Sequence, residues 1–98
     1  MAIIATLDLR LNPELLDEAR TVLGRALAET RAFDGNLGVD VLVDENDPAH
    51  WIAHETWESI EHDTAYREFR AGAGAIADLP PLLAARPVLT WFRVDASV

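Results

Sequence analysis

The 98-residue chain contains no cysteine and no lysine, and it has only two serines. The lack of cysteine excludes disulfides and thiol nucleophiles, and it is typical of a cytoplasmic protein. The lack of lysine excludes Schiff-base chemistry. Of the two serines, Ser59 stands where a helix cap is expected, and Ser97 lies in the C-terminal tail. Nucleophilic catalysis by serine, cysteine or lysine is therefore disfavoured.

Positive charge is also scarce, because the eight arginines face 17 acidic residues and the formal net charge is −9. Nucleic acids bind through many Lys and Arg contacts, so nucleic acids and anionic membranes are disfavoured as partners. No apolar run approaches the roughly 18–20 residues of a membrane span. Residues 1–8 lack the basic region of a secretory signal, so none is expected.

The hydrophobic pattern predicts four strands and two helices in one domain over residues 1–98. The helices are expected at about residues 13–31, after the start signal Asn12-Pro13, and 59–70, capped by Ser59. A loose turn and a short helix broken by Pro80-Pro81 are expected near residues 71–85. The predicted strands cover about residues 2–9, 37–43, 50–57 and 88–94.

The predicted order is β-α-β-β-α-β. With right-handed crossovers this order gives a four-stranded antiparallel sheet with both helices on one face, a ferredoxin-like α+β fold. The third strand carries Trp51 and Trp57 on one side and Ile52 on the other. The uncovered sheet face would expose a large apolar patch, so we expect a homodimer that pairs the two sheet faces.

Glu55 and Trp57 form the most informative motif, at the point where the third strand meets the second helix. Alternation places Ala53 on the same strand face, toward the helices. Tyr66 and Phe69 share one stripe of the second helix. We therefore predict a pocket lined by Ala53, Trp57, Tyr66 and Phe69, with Glu55 at its polar end. The alternative is that these aromatic residues only fill the core and that Glu55 forms a structural ion pair. The arginines considered as its partner are Arg67, Arg86 and Arg93.

The three histidines do not predict a metal site. His50 and His54 have i, i+4 spacing, but on a strand this separates them by roughly 13 Å, too far for one ion. His62 lies in the first turn of the second helix. His54 is chemically suited to accept a proton near pH 7, although strand alternation turns it toward the expected dimer face.

Order, length and local sequence together resemble the antibiotic biosynthesis monooxygenase domain family. The stretches that carry the resemblance are Phe33-Asp34-Gly35-Asn36-Leu37-Gly38, Glu55-Thr56-Trp57-Glu58-Ser59 and Tyr66. In that family a glycine-opened strand, a short acidic loop, a Glu-x-Trp strand end and an amphipathic helix recur. The resemblance covers essentially the whole chain and implies a dimeric α+β barrel.

The resemblance implies cofactor-independent oxygenation, in which molecular oxygen converts a small phenol, quinol or anthrone-type aromatic to a quinone. A base removes a substrate proton, and the carbanion reduces oxygen directly before radical recombination. Trp57 matches a tryptophan implicated in substrate or oxygen handling. We therefore expect Trp57, Glu55 and Tyr66 to be catalytic, and Trp57, Tyr66, Phe69 and Ala53 to bind substrate.

The chain departs from the family at specific positions. Ala53 stands where polyketide-tailoring members have asparagine, and Tyr66 where quinol-oxidising members often have histidine. The haem-degrading branch uses a Trp–His pair, and the matching positions hold Tyr66 and Ile76, so haem degradation is not expected. Two alternatives remain: a non-catalytic, small-molecule-binding or stress-associated dimer, and a proton-shuttling isomerase or ring-cleaving enzyme that uses His54 or His62.

Overall fold

The computed structural model describes residues 2–98 and confirms the predicted β-α-β-β-α-β order. Short 3-10 helical turns precede the first helix, at Pro13–Leu15, and the last strand, at Pro80–Leu82. The main elements are β1 (Ile3–Arg10), α1 (Leu16–Ala32), β2 (Asn36–Asp44), β3 (Asp47–Trp57), α2 (Ile60–Ala71) and β4 (Val88–Phe92).

Both helices begin at the signals that the sequence predicts. The side chain of Asn12 accepts a hydrogen bond from the Glu14 amide at 3.0 Å, although the first turn is 3-10 and the α-helix starts at Leu16. Ser59 Oγ accepts from the His62 amide at 3.2 Å and caps α2. These local bonds satisfy amides that have no partner inside the helix.

The four strands form one antiparallel sheet in the order β2-β3-β1-β4, which is ferredoxin-like. Each row across the sheet presents side chains to one face only. On the face toward the helices, Glu55 pairs with Val39 on one side and with Ala5 on the other, and Ala5 pairs with Trp91. The pairing between β2 and β3 shifts in register between Asn36 and Gly38, and this shift makes a bulge at Leu37.

The space between sheet and helices holds two apolar clusters. The first lies at the end of the sheet where β1 meets the start of α1. Its buried members are Leu9, Leu11, Ala19, Val22, Leu23, Trp51 and Leu82. The second cluster consists of Ile3, Ala5, Trp57 and Tyr66, with Phe33 and Phe69 packed against it. The cavity described below lies between the two clusters.

The connection from α2 to β4 differs from the expectation in one respect. Pro80 and Pro81 do not break a helix there; they begin the 3-10 turn, where a missing backbone N–H costs no hydrogen bond. The segment is joined to β1, because the Asn12 amide donates to the Leu82 carbonyl at 2.8 Å and the Ala84 amide to the Arg10 carbonyl at 2.7 Å. It therefore forms a wall at the end of the sheet.

The sheet face opposite the helices is uncovered, as predicted. Leu42 and Phe92 are each 50% exposed and Val88 is 59% exposed. Alternation and register place Ile4 and Ile52 on this same face. Among residues 2–98, no helix has the length and apolar character that crossing a bilayer requires.

Candidate active site

A cavity of about 290 Å³ lies between the sheet and the two helices. Strands β1 and β3 form its floor, α1 and α2 its sides, and the segment that leads to β4 its far wall. Most of its surface is aliphatic, from Leu7, Leu9, Leu23, Leu27, Ile76 and Leu83. One end is polar and is formed by Glu55, Tyr66, Arg67 and Arg70.

Ala53 and Glu55 reach the cavity because they occupy alternate positions of β3 on its helix-facing side. Ala53 is 2% exposed, and its single methyl group leaves space above the sheet that a larger side chain would fill. Ala53 therefore lies on the floor of the cavity, and Glu55 lies at its polar end.

Glu55 is a buried carboxylate with a specific set of partners. It is 2% exposed, and its Oε1 accepts hydrogen bonds from Trp57 Nε1 at 3.1 Å and from an Arg67 guanidinium nitrogen at 2.6 Å. Burial raises the pKa of Glu55, while the charge of Arg67 and the two hydrogen bonds oppose that rise. Arg67 is therefore the ion-pair partner among the three arginines that the sequence offered.

A second buried carboxylate, Asp63, shares the same arginine. Arg67 Nε lies 3.1 Å from Asp63 Oδ1, and Trp91 Nε1 donates to Asp63 Oδ2. Two buried carboxylates thus face one guanidinium, and the negative charge of Asp63 further raises the pKa of Glu55. Asp63 was not predicted as a site residue, although its i, i+4 spacing from Arg67 is the usual signal of a helical ion pair.

Tyr66 is held by hydrogen bonds and lies close to two arginines. Its hydroxyl lies 2.6 Å from the Thr30 hydroxyl and accepts a 2.8 Å hydrogen bond from Arg70 Nε. The guanidinium carbons of Arg67 and Arg70 lie 5.0 and 5.2 Å from the centre of the Tyr66 ring. Arg70 was not predicted; it also donates to the Ala26 carbonyl and so links α2 to α1.

Two of the predicted pocket residues lie elsewhere. Trp57 has no exposed surface and does not line the cavity; it packs against Tyr66, with ring centres 5.0 Å apart, and against Phe33. Phe69 packs on Phe33 and borders a separate hollow beside Gly74. The reason is position along the strand: Trp57 ends β3, under the aromatic cluster, whereas the cavity lies nearer Ala53.

The histidines lie away from the cavity lining. His50 lies between Asp8 and Asp44 on the uncovered sheet face, and alternation places His54 on that face too. His62 contacts Ser59 and lies 3.5 Å from Glu58. Within residues 2–98 no group of three or more metal-binding side chains converges on one point. The isomerase alternative, which needs His54 or His62 in the pocket, thus has no histidine in place.

The polar end of the cavity combines two chemical capacities. A buried carboxylate whose pKa is raised is a stronger proton acceptor than an exposed one. The neighbouring Arg67 guanidinium can stabilise negative charge that develops on a bound ligand. The aliphatic walls exclude water from both groups and strengthen these interactions. The arrangement can therefore remove a proton from an apolar molecule.

Comparison with known proteins gives a consistent result. A conserved protein from Methanosarcina mazei Go1 has a TM-score of 0.86 and 16% identity, over 97% of this chain and 94% of its own. Rv0793 from Mycobacterium tuberculosis gives 0.73 and 18%, over 100% of both chains. A structure described as an antibiotic biosynthesis monooxygenase gives 0.76 and 19%, over 97% and 99%. At these identities the likeness establishes the fold. No curated protein matches the sequence.

The sequence itself matches the profile of the antibiotic biosynthesis monooxygenase family over residues 2–74. The match includes β1 through α2 and therefore Ala53, Glu55, Tyr66 and Arg67. Together with the ferredoxin-like sheet order, it shows that this chain belongs to the antibiotic biosynthesis monooxygenase family.

Proposed function

We propose that the protein is a cofactor-independent monooxygenase that oxidises a small, electron-rich phenol, quinol or anthrone-type aromatic to a quinone. The observation that carries the proposal is a buried carboxylate of raised pKa, Glu55, at the polar end of an otherwise aliphatic cavity. The volume of about 290 Å³ lies at the small end of the range for ligand sites.

In the proposed mechanism the substrate lies with its ring between the aliphatic walls and its oxygen at the polar end. Glu55 accepts the proton whose loss gives a carbanion conjugated with the phenol ring. Arg67 stabilises the enolate form of that anion, and Tyr66 borders the bound substrate. Both hydrogen bonds to Glu55 are made to Oε1, so Oε2 is the oxygen that takes the proton.

The oxygen step needs no electron donor other than the substrate. An electron passes from the carbanion to molecular oxygen, and the two radicals combine to give a peroxide. Loss of water from the peroxide leaves a carbonyl, so the methylene group and oxygen are converted to the quinone and one water. One atom of the oxygen molecule ends in the product and the other in water.

Trp57 acts through Glu55 in this proposal. Its indole N–H fixes the Glu55 carboxylate, and its ring supports Tyr66 from beneath. It is a positioning residue, and Phe69 supports the same aromatic cluster from the other side. Ala53 and Tyr66 keep their proposed roles in substrate binding and Glu55 its proposed role in catalysis, and each of them borders the cavity.

The proposed assembly is a homodimer that pairs the uncovered sheet faces. Its support is the exposed apolar surface at Leu42, Val88 and Phe92, which is costly in water and which a second copy would cover. Pairing two such faces would complete the α+β barrel that the family resemblance implies. The cavity lies on the other side of the sheet and is complete within one chain.

The proposal is tested by oxygen consumption with anthrone as substrate. Glu55→Gln removes the base and is expected to lower kcat/KM by about 100-fold or more. Arg67 keeps Asp63 as a partner in this variant, so the fold is expected to survive. Trp57→Phe keeps the ring but loses the N–H donor, and slower turnover is expected. Glu68→Gln removes an exposed carboxylate from α2 and serves as the matched control.

The second candidate is a non-catalytic small-molecule-binding protein on the same fold. It is favoured by the closed packing around Trp57 and by the ion pair that Glu55 makes with Arg67. If anthrone is bound but is consumed no faster than in buffer, this candidate replaces the oxygenase.

A further inference from the structure

A second hollow, of about 310 Å³, lies between α1 and the outer strand β2. It is separate from the candidate active site, although Leu23 and Leu27 border both. The remaining apolar surface comes from Val41 and Val43 on β2 and from Trp51, which pairs with Val43 on the neighbouring strand β3. Val41 is 37% exposed and Val43 is 47% exposed, so two adjacent inward positions of the sheet are left partly uncovered by α1.

Gly24 borders this partly uncovered part of the sheet. It lies in the interior of α1, where glycine is about 1 kcal/mol less favourable than alanine. Its backbone does not adopt a positive φ, and a Cβ added there would meet no atom within 4 Å. Neither backbone conformation nor packing within the chain therefore requires glycine. Gly24 does border the space above Val41 and Val43, together with Leu23 and Leu27.

Two arginines lie at the ends of the hollow. The Arg20 guanidinium stacks over the Trp51 ring at 5.4 Å, and its side chain contacts Asp17 at 3.3 Å. Asp17 is almost fully exposed, so this ion pair is weak and open to exchange. Arg31 donates to the Val39 carbonyl at 2.9 Å. In a chain of net charge −9, this local excess of positive charge favours an anion.

We propose that this α1–β2 hollow is a second binding site, for a small anion with an apolar body. The apolar body of the ligand occupies the space above Val41 and Val43, under Gly24. Its carboxylate or sulfonate pairs with Arg20 and displaces Asp17. Arg20 suits this role because stacking on Trp51 fixes its guanidinium before the ligand binds, which lowers the entropic cost of pairing. The proposal is independent of any oxygenase activity.

The test uses two fluorescent probes of nearly equal shape, anilinonaphthalenesulfonate, which is an anion, and phenylnaphthylamine, which is neutral. Gly24→Leu fills the hollow and is expected to weaken the binding of both probes at this site by at least about tenfold. Arg20→Gln is expected to weaken only the binding of the anionic probe, by about tenfold. Amide chemical shifts of Gly24, Val41 and Val43 report binding at this site apart from binding elsewhere.

Two variants serve as matched controls. Gly24→Ala makes the same backbone change but adds only a methyl group, so it should retain most probe binding and raise the free energy of unfolding. Arg25→Gln removes an equal charge from the same helix, outside the hollow, and should leave both affinities unchanged.

Three outcomes would overturn the proposal. In the first, addition of the anionic probe changes none of the amide chemical shifts of Gly24, Val41 and Val43. In the second, Gly24→Leu binds both probes as tightly as the parent. In the third, Gly24→Leu or Arg20→Gln changes the oligomeric state in sedimentation, which would make the hollow an interface between protein chains.

Discussion

At the scale of single residues, the balance of buried charge dominates the candidate site. Glu55 and Asp63 are almost inaccessible to water, and Arg67 is the cation between them. A buried carboxylate is costly unless it is paired, and one guanidinium cannot fully neutralise two carboxylates. Burial makes Glu55 hold a proton more readily than an exposed glutamate does, and the negative charge of Asp63 adds to this effect, while Arg67 opposes it. This raised pKa supplies the base that the proposed reaction needs.

The position of Glu55 on the helix-facing side of its strand is predictable from the sequence, but the set of residues around it is not. Strand alternation is a local property, so it placed Ala53, Glu55 and Trp57 on the helix-facing side of β3. The position of each residue along the strand relative to the helices above is a tertiary property. It decided that Ala53 borders a cavity and that Trp57 lies under Phe33 and Tyr66.

His50 provides a prediction about stability and pH. Its two ring nitrogens each lie 2.9 Å from a carboxylate oxygen, one of Asp44 and one of Asp8. Only the protonated ring can donate to both carboxylates. These hydrogen bonds raise the pKa of His50, and the bond to Asp44 is the larger cause. Arg10 is the nearby cation that opposes the rise. The protonated form is therefore stabilised by folding.

The sign of the pH effect follows from the raised pKa. The stabilisation is fully present below the ordinary histidine pKa of about 6.5 and is lost as pH rises through the higher pKa of the folded state. The free energy of unfolding in urea should therefore fall as pH increases above about 6.5. His50→Gln should remove this slope, and equal slopes in parent and variant would refute the assignment.

Among the helices and strands, short sequence patterns predicted the features that depend on local interactions. The caps at Asn12 and Ser59 and the succession of strands and helices along the chain follow from patterns within a few residues. The bulge at Leu37 and the 3-10 turn at Pro80–Leu82 depend on contacts with other parts of the chain. The second of these is held by bonds to the end of β1, which no nearby sequence pattern encodes.

The turn between α1 and β2 provides the prediction at this scale. Gly35 has a φ of +87°, and a Cβ there would lie 2.5 Å from the His62 Cβ, so rotating the histidine ring cannot relieve the clash. Gly35→Ala should lower the free energy of unfolding by about 1–3 kcal/mol. Gly24→Ala should raise it by up to about 1 kcal/mol. Urea denaturation of both variants measures the two changes in the free energy of unfolding, and changes of the same sign would refute the roles given to Gly35 and Gly24.

At the scale of the whole molecule, the uncovered sheet face determines the expected assembly. Leu42→Lys places a charge in that face and is expected to shift a dimer to monomers in sedimentation at micromolar concentration. Ile60→Lys is the matched control, because Ile60 is 42% exposed on α2, away from the sheet face. A parent protein that sediments as a monomer, or an Ile60→Lys effect as large as that of Leu42→Lys, would refute the proposed interface.

We propose that the cavity above Ala53 and Glu55 is an oxygenase site. Reaction of anthrone under isotopically heavy molecular oxygen, followed by mass spectrometry of the quinone, tests this proposal. We expect one heavy oxygen atom in each product molecule, formed faster than in buffer by the parent and at close to the buffer rate by Glu55→Gln. An unlabelled product, or equal rates for parent, variant and buffer, would contradict it.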